Sequence, residues 1–280
     1  MREWQLTRTY DSTIGEVRWD RLGAAEAGRP PVVLLHGTPF SSYVWRGTAG
    51  ALAQHRQVYV WDMPGYGMSA KFDGQDVSLA AQGRIFGELI EHWGLAEPAV
   101  VAHDVGGAVA LRAHLLHGVP YRRLALVDPV ALAPWGSPFF RLVGQHAPVF
   151  GQLPSALHRA LVREYVSSAS SCGLHPAVHD RLVEPWLGEA GQAAFYRQIA
   201  QADQRYTDEV EERYGAIDVP VLVCWGADDE WIPVAKGHEL TSRVPGARLR
   251  LIPGAGHLVQ EDAPAALTAA LLAFLDEDSA

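Results

Sequence analysis

The chain has 280 residues, of which 48% are hydrophobic and 20% charged, with a formal net charge of −9. That length supports one substantial core, and the acidic balance argues against nucleic acid or an anionic membrane as partner, because both need basic surface. Cys172 and Cys224 lie too far apart for a metal-binding spacing or a disulfide framework, and no apolar run approaches the ~18 residues of a membrane span.

In chain order, the first ten residues, MREWQLTRTY, lack the apolar run of a secretory leader, so a reducing cytoplasm is the expected location. WQLTRTY and GEVRWDRL read as a hairpin at the edge of a sheet. Short apolar runs follow at 31–36, 57–62, 98–103, 123–128, 220–225 and 247–252. Their valine and leucine content and tight polar punctuation predict buried strands of a parallel sheet. Between them, patterns over 77–93, 108–117, 234–244 and 263–275 predict helices. Alternation of this kind implies an α/β fold, a mostly parallel eight-stranded sheet with helices on both faces.

The alternation stops over residues 131–216, which contain helical patterns, several prolines and no buried strand. This predicts a helical cap domain inserted after the sixth strand, with residues 1–130 and 217–280 forming the core domain. An insertion there overhangs the C-terminal ends of the parallel strands, where such sheets bind ligands.

VVAHDVGG (100–107) has the form of a strand-turn-helix elbow, with small residues two before and two after its apex. The apex is Asp104, either a raised nucleophile or simply a helix N-cap. Asp229 in WGADDEWIP and His257 in GAGHLVQED each follow a predicted strand. Nucleophile, acid and histidine thus come in the α/β-hydrolase order. Asp128, at the end of the sixth strand, is an alternative acid. HGTP (36–39) follows the third strand, where a loop amide contributes to an oxyanion hole; Phe40 and Val105 are the expected donors.

HGTPFSSYVWR, DMPGYGMS, HDVGG, WGADDEWIP and AGHLVQED together resemble the α/β-hydrolase fold superfamily over essentially the whole chain. The aspartate at the elbow resembles its Asp-nucleophile branch, the epoxide hydrolases and haloalkane or haloacetate dehalogenases. The resemblance implies an alkyl ester on Asp104, hydrolysed by water that His257 activates, with no metal or organic cofactor. A carboxylate suits this chemistry, because attack on saturated carbon gives an ester whereas attack on an ester gives a reactive anhydride.

The departures discriminate between leaving groups. Haloalkane dehalogenases of this kind carry tryptophan after the nucleophile, where this chain has Val105, and many carry asparagine where it has Thr38; the sequence contains no asparagine. A tryptophan pair from the cap, Trp135 and Trp186, could replace those donors. The arginines of haloacetate dehalogenases are absent at Val105 and Ala108. Phe195-Tyr196-Arg197 resembles the epoxide-hydrolase motif whose tyrosine protonates the leaving oxygen. Tyr196 is therefore the first expected donor and Tyr165 the second, with Tyr206 behind it. His36, Thr38, Trp135 and Trp186 are expected to line a pocket for a small apolar organic substrate. The expectation is an epoxide hydrolase, monomeric or homodimeric; the alternatives are a haloalkane dehalogenase and a non-catalytic ligand-binding protein on the same scaffold.

Overall fold

The computed structural model describes residues 4–26 and 28–277. The first three residues of the N-terminal stretch considered above lie outside them. The strands are β1 (Arg8–Ser12), β2 (Gly15–Leu22), β3 (Val32–Leu35), β4 (Val58–Trp61), β5 (Ala99–His103), β6 (Arg123–Val127), β7 (Val221–Gly226) and β8 (Arg248–Ile252). They form one sheet in the order β1-β2-β4-β3-β5-β6-β7-β8. β1 and β2 are antiparallel to each other, β2 is antiparallel to β4, and β3 to β8 run parallel. The sheet is therefore mixed, with its antiparallel part confined to the predicted edge hairpin.

Helices α1 (Arg46–Leu52), α2 (Leu79–His92) and α3 (Val105–His117) alternate with the central strands. Five more lie between β6 and β7: α4 (Pro138–Phe150), α5 (Ser155–Ser167), α6 (Pro176–Val183), α7 (Gly188–Gln201) and α8 (Arg205–Glu211). After β7 come α9 (Val234–Arg243), α10 (Val259–Asp262) and α11 (Pro264–Leu275). β3, β4, β5 and β6 are buried along their whole length, which explains why they read as continuous apolar runs rather than alternating ones. The first nine residues of α3 are buried as well. A helix apolar on every side belongs in the interior, and α3 runs from the middle of the sheet beneath α2 and α8. The fold thus puts the N-terminus of a buried helix at the C-terminal end of a central strand. No helix among the described residues is long and apolar enough to cross a membrane.

Candidate active site

The elbow between β5 and α3 is strained. Asp104 has φ 53° and ψ −125°, and its side chain makes no capping bond to α3. A left-handed φ on a non-glycine residue costs on the order of 1–3 kcal/mol and survives only where its surroundings enforce it. Here they do. The Asp104 amide donates to the Val127 carbonyl at 3.2 Å, and its carbonyl accepts from Gly107 and Val130, both at 2.9 Å. Glycine at three neighbours allows the close approach. A Cβ on Gly37 would lie 2.3 Å from the Asp104 Cβ, one on Gly106 2.5 Å from the His36 carbonyl, and one on Gly107 2.5 Å from the Pro129 ring.

The freed carboxylate faces three donors. The Thr38 amide reaches Oδ1 at 2.6 Å, the Val105 amide at the start of α3 faces the carboxylate, and His257 Nε2 lies 3.4 Å from Oδ2. The His257 separation is long for a hydrogen bond, and Nε2 has no partner in good geometry. On the other side of the ring, Nδ1 donates to Asp229 Oδ2 at 2.9 Å. Asp229 Oδ1 accepts the Trp231 and Ile232 amides at 2.7 and 2.9 Å, which fixes its orientation. Asp104, His257 and Asp229 are all buried.

Burial pushes the Asp104 carboxyl up, but the adjacent His257 imidazole and the Val105 amide outweigh it, so the group sits below the ordinary carboxylate range. Burial pulls His257 down, and the charges of Asp229 and Asp104 overcome that, holding the imidazole well above 6.5. His103 packs against His257 with the rings tilted at 42° and 4.8 Å apart, and donates from Nε2 to the His257 carbonyl at 2.9 Å. Burial, with His257 beside it, pushes His103 down to about 3, so it is a neutral support.

Several expected roles are corrected. The Phe40 amide donates to the Gly37 carbonyl at 3.0 Å, closing the HGTP turn, so the loop amide on Asp104 is Thr38, two residues earlier. Asp128 makes no bond to His257; its Oδ1 accepts the Gly226 amide at 2.8 Å. Burial and the neighbouring Asp229 charge raise Asp128 well above its usual carboxylate value. His36 uses both nitrogens within its own loops, Nδ1 donating to Gly37 and Nε2 accepting from the Met63 amide, each at 2.9 Å.

Tyr196 donates to His158 Nδ1 at 2.9 Å, because His158 Nε2 donates to the Trp186 carbonyl at 2.8 Å and leaves Nδ1 as acceptor. Its hydroxyl is spent inside the helical segment. The indole N–H groups of the suggested halide pair are spent too, Trp135 on Thr207 Oγ1 at 2.8 Å and Trp186 on the Pro39 carbonyl at 2.6 Å. Tyr206 accepts from Arg205 at the surface of α8.

Above Asp104 lies a narrow cavity bounded by Thr38, Val105, Val130, Phe140, Tyr165 and Trp231, with Trp135 at its side. The volume open to the centre of a water-sized molecule is ≈ 30 Å³. Of the tyrosines expected to protonate a leaving oxygen, Tyr165 alone lines it, and no hydrogen-bond partner takes its hydroxyl among the described residues. Burial, then the nearby Asp104 charge, raises the Tyr165 phenol well above 10, so it stays protonated. Four further residues escaped the sequence reading. Tyr66, from DMPGYGMS, donates to Gln198 Oε1 at 3.0 Å, and Thr38 Oγ1 donates to the same oxygen at 2.5 Å. Gln198 in α7 thus ties that helix to the HGTP loop. Trp231 lies face to face with His257, and His103 lies behind it. No group of three or more His, Cys, Asp or Glu side chains among the described residues could hold a metal ion.

The model of the alpha/beta hydrolase family matches residues 32–271. The chain belongs to that family. A solved alpha/beta hydrolase fold protein from Burkholderia ambifaria is 48% identical, with a TM-score of 0.92 over 96% of this chain and 98% of that one. Haloalkane dehalogenase 2 of Mycobacterium tuberculosis is 27% identical over 95% of this chain and 93% of its own. A thermophilic esterase from Thermogutta terrifontis shares the fold at 22% identity and a TM-score of 0.79, covering 98% of this chain and 99% of that one. An alpha/beta hydrolase is thus the class of the chain, and both an esterase and a haloalkane dehalogenase are among the proteins it is similar to.

Proposed function

We propose that the protein is an epoxide hydrolase for small, neutral, apolar epoxides, with the helices between β6 and β7 serving as its cap. The observation that carries the reading is the cavity itself. A strained carboxylate forms its floor and an unengaged, protonated phenol one wall, while the indole N–H groups of Trp135, Trp186 and Trp231 are all bonded to protein.

In the first step an Asp104 carboxylate oxygen attacks one epoxide carbon. The carbon–oxygen bond breaks, its electron pair goes to the ring oxygen, and that oxygen takes the Tyr165 proton. In the second step water gives a proton to His257 Nε2 and attacks the ester carbonyl of Asp104. The Thr38 and Val105 amides face the oxyanion that forms, and Asp229 stabilises the imidazolium. Collapse expels the diol oxygen, which takes the proton back from His257. The carboxylic acid left on Asp104 then ionises, and its proton restores the Tyr165 phenol.

A haloalkane dehalogenase is the second reading, favoured by the M. tuberculosis relative. The deciding experiment is intact-protein mass spectrometry of His257→Gln after exposure to short terminal epoxides and to 1-haloalkanes. Accumulation of an adduct of the epoxide's mass on Asp104 is the expected result. An alkyl adduct from haloalkanes with none from epoxides would transfer the assignment to dehalogenation. Reversible binding without any adduct would make the protein a ligand-binding member of the fold.

A further inference from the structure

Trp231 sits two residues after Asp229, in the turn that carries the acid. Its indole faces His257 at 5.0 Å and 24°, Tyr165 at 4.5 Å and 14°, and Phe40 at 6.1 Å and 16°. Its N–H donates to Ser168 Oγ, at the end of α5, at 3.1 Å. The loop of His257 is tied to the same end of α5: the Leu258 amide donates to the Ala169 carbonyl at 2.9 Å, and Asp262 accepts from Gly256 and Ser171 amides at 2.8 and 2.9 Å. One indole therefore touches both groups that handle protons in the reaction, one on the core and one on the cap.

We infer that Trp231 is a positioning residue, a clamp that stacks the cap's Tyr165 and the core's His257 against one ring and stabilises the protonated imidazole through its π face. The inference deepens the epoxide reading where it concerns Tyr165; the His257 half does not depend on it. An aromatic face attracts a cation over its centre, and a near-parallel offset stack aligns the imidazolium with that face. The other groups facing His257 are Asp229 from the β7 turn, Asp104 and His103 from the elbow, and Asp128 from the end of β6. Substitution at Trp231 removes none of these side chains and keeps the amide that serves Asp229. Trp231 is only partly buried, so loss of its ring need not collapse the core.

The direction of the effect follows. Without the indole face the imidazolium loses an attraction and the His257 pKa falls, by about 0.5–1 pH unit for an interaction of this kind. The test is a pH titration of His257 by NMR in the full chain with labelled histidine, the resonance being assigned by its absence in His257→Gln. Trp231→Leu, with Trp231→Met as a second ringless variant, is expected to lower the His257 pKa by that amount. Trp231→Phe keeps a ring face and is expected to stay within a few tenths of a unit of the parent. Equal titration in the parent and a folded ringless variant would overturn the clamp, as would an equal fall in Trp231→Phe. The titration uses no substrate, so it stands whether or not epoxides are turned over. On the His257→Gln background, the rate of ester formation then reads the Tyr165 half. Slower formation in the ringless variants than in Trp231→Phe is expected, and equal rates would confine the clamp to His257.

Discussion

At the scale of single residues, two tyrosines in the same helical segment have opposite expected fates. Tyr165 offers a free hydroxyl to the cavity, whereas Tyr196 is spent on His158. Tyr165→Phe should slow epoxide opening by roughly 10²–10³-fold, the range for loss of a general acid, with little change in melting temperature. Tyr196→Phe should do the reverse: it strips a donor from the buried His158 Nδ1, costs about 1–3 kcal/mol of stability and leaves single-turnover ester formation largely intact. Thermal melts and rapid-mixing kinetics on the two variants separate the assignments. An equal loss of opening in both would restore Tyr196 as a donor.

His257 gives a second prediction at this scale. The group must be neutral to take a proton from water, and its neighbours raise its pKa, so kcat/KM should climb through a limb above pH 6.5. Esterification removes the Asp104 charge but leaves that of Asp229. The limb in kcat, which reports the ester, should therefore lie at lower pH than the limb in kcat/KM. Stability runs the other way. A histidine whose folded pKa exceeds its unfolded one contributes fully below the unfolded value, and that contribution disappears as pH rises through the folded value. Parallel pH profiles of rate and melting temperature check both signs.

At the scale of elements, the elbow is where sequence and structure agree most closely. Small residues around Asp104 are needed because β5 hands over to α3 without a loop, and that demand is local enough to be read from VVAHDVGG alone. The same logic extends to Gly37, which the sequence pattern does not single out. Gly37→Ala places a methyl group 2.3 Å from the Asp104 Cβ and 2.6 Å from its Oδ1, the oxygen the Thr38 amide holds, and because the Cβ is fixed to the main chain, backbone must move. It should lower kcat by at least about 10²-fold and cost roughly 1–3 kcal/mol. Gly47→Ala is the control, since nothing lies near its Cβ and it sits exposed in α1. That change should stabilise by up to about 1 kcal/mol and leave the rate unchanged. Urea melts and initial rates of the two variants test the pair.

What the sequence could not supply were partners chosen in three dimensions. The helices between β6 and β7 were legible as helices, yet the Tyr196 hydroxyl finds His158 thirty-eight positions away, and Thr38 finds Gln198 across 160. Periodicity records which face is buried; it does not record what that face touches. The loop amide that meets Asp104 is Thr38 rather than Phe40 for a related reason. The Phe40 amide closes its own turn on Gly37, a choice made by backbone angles that no side chain in HGTP announces.

At the scale of the whole molecule, charge and cavity act together on which substrates can enter. Among the described residues Asp104 is the only charged one on the cavity wall, and the chain carries a net charge of −9. A substrate bearing a carboxylate would have to bring its charge against a buried anion with no lysine or arginine lining the cavity to balance it. Like charges brought together in a site of this kind cost several kcal/mol, enough for a penalty of roughly 100-fold or more. The open volume of ≈ 30 Å³ is roughly that of two waters, so ligands larger than a few atoms require the cap to yield. Short neutral epoxides should therefore be turned over with a kcat/KM that is indifferent to salt. Epoxy-carboxylates and haloacetates of matching size should fall at least about 100-fold lower, and part of that gap should close between about 0.05 and 0.5 M sodium chloride as the field of the distant charges is screened. The residual gap at high salt measures Asp104 itself, which no salt reaches. A carboxylate substrate processed as fast as its neutral counterpart at low salt would mean that cap motion brings a cation into the cavity, and Arg197, on the same helix as Gln198 and paired with the exposed Asp73, is the residue whose substitution would then be informative.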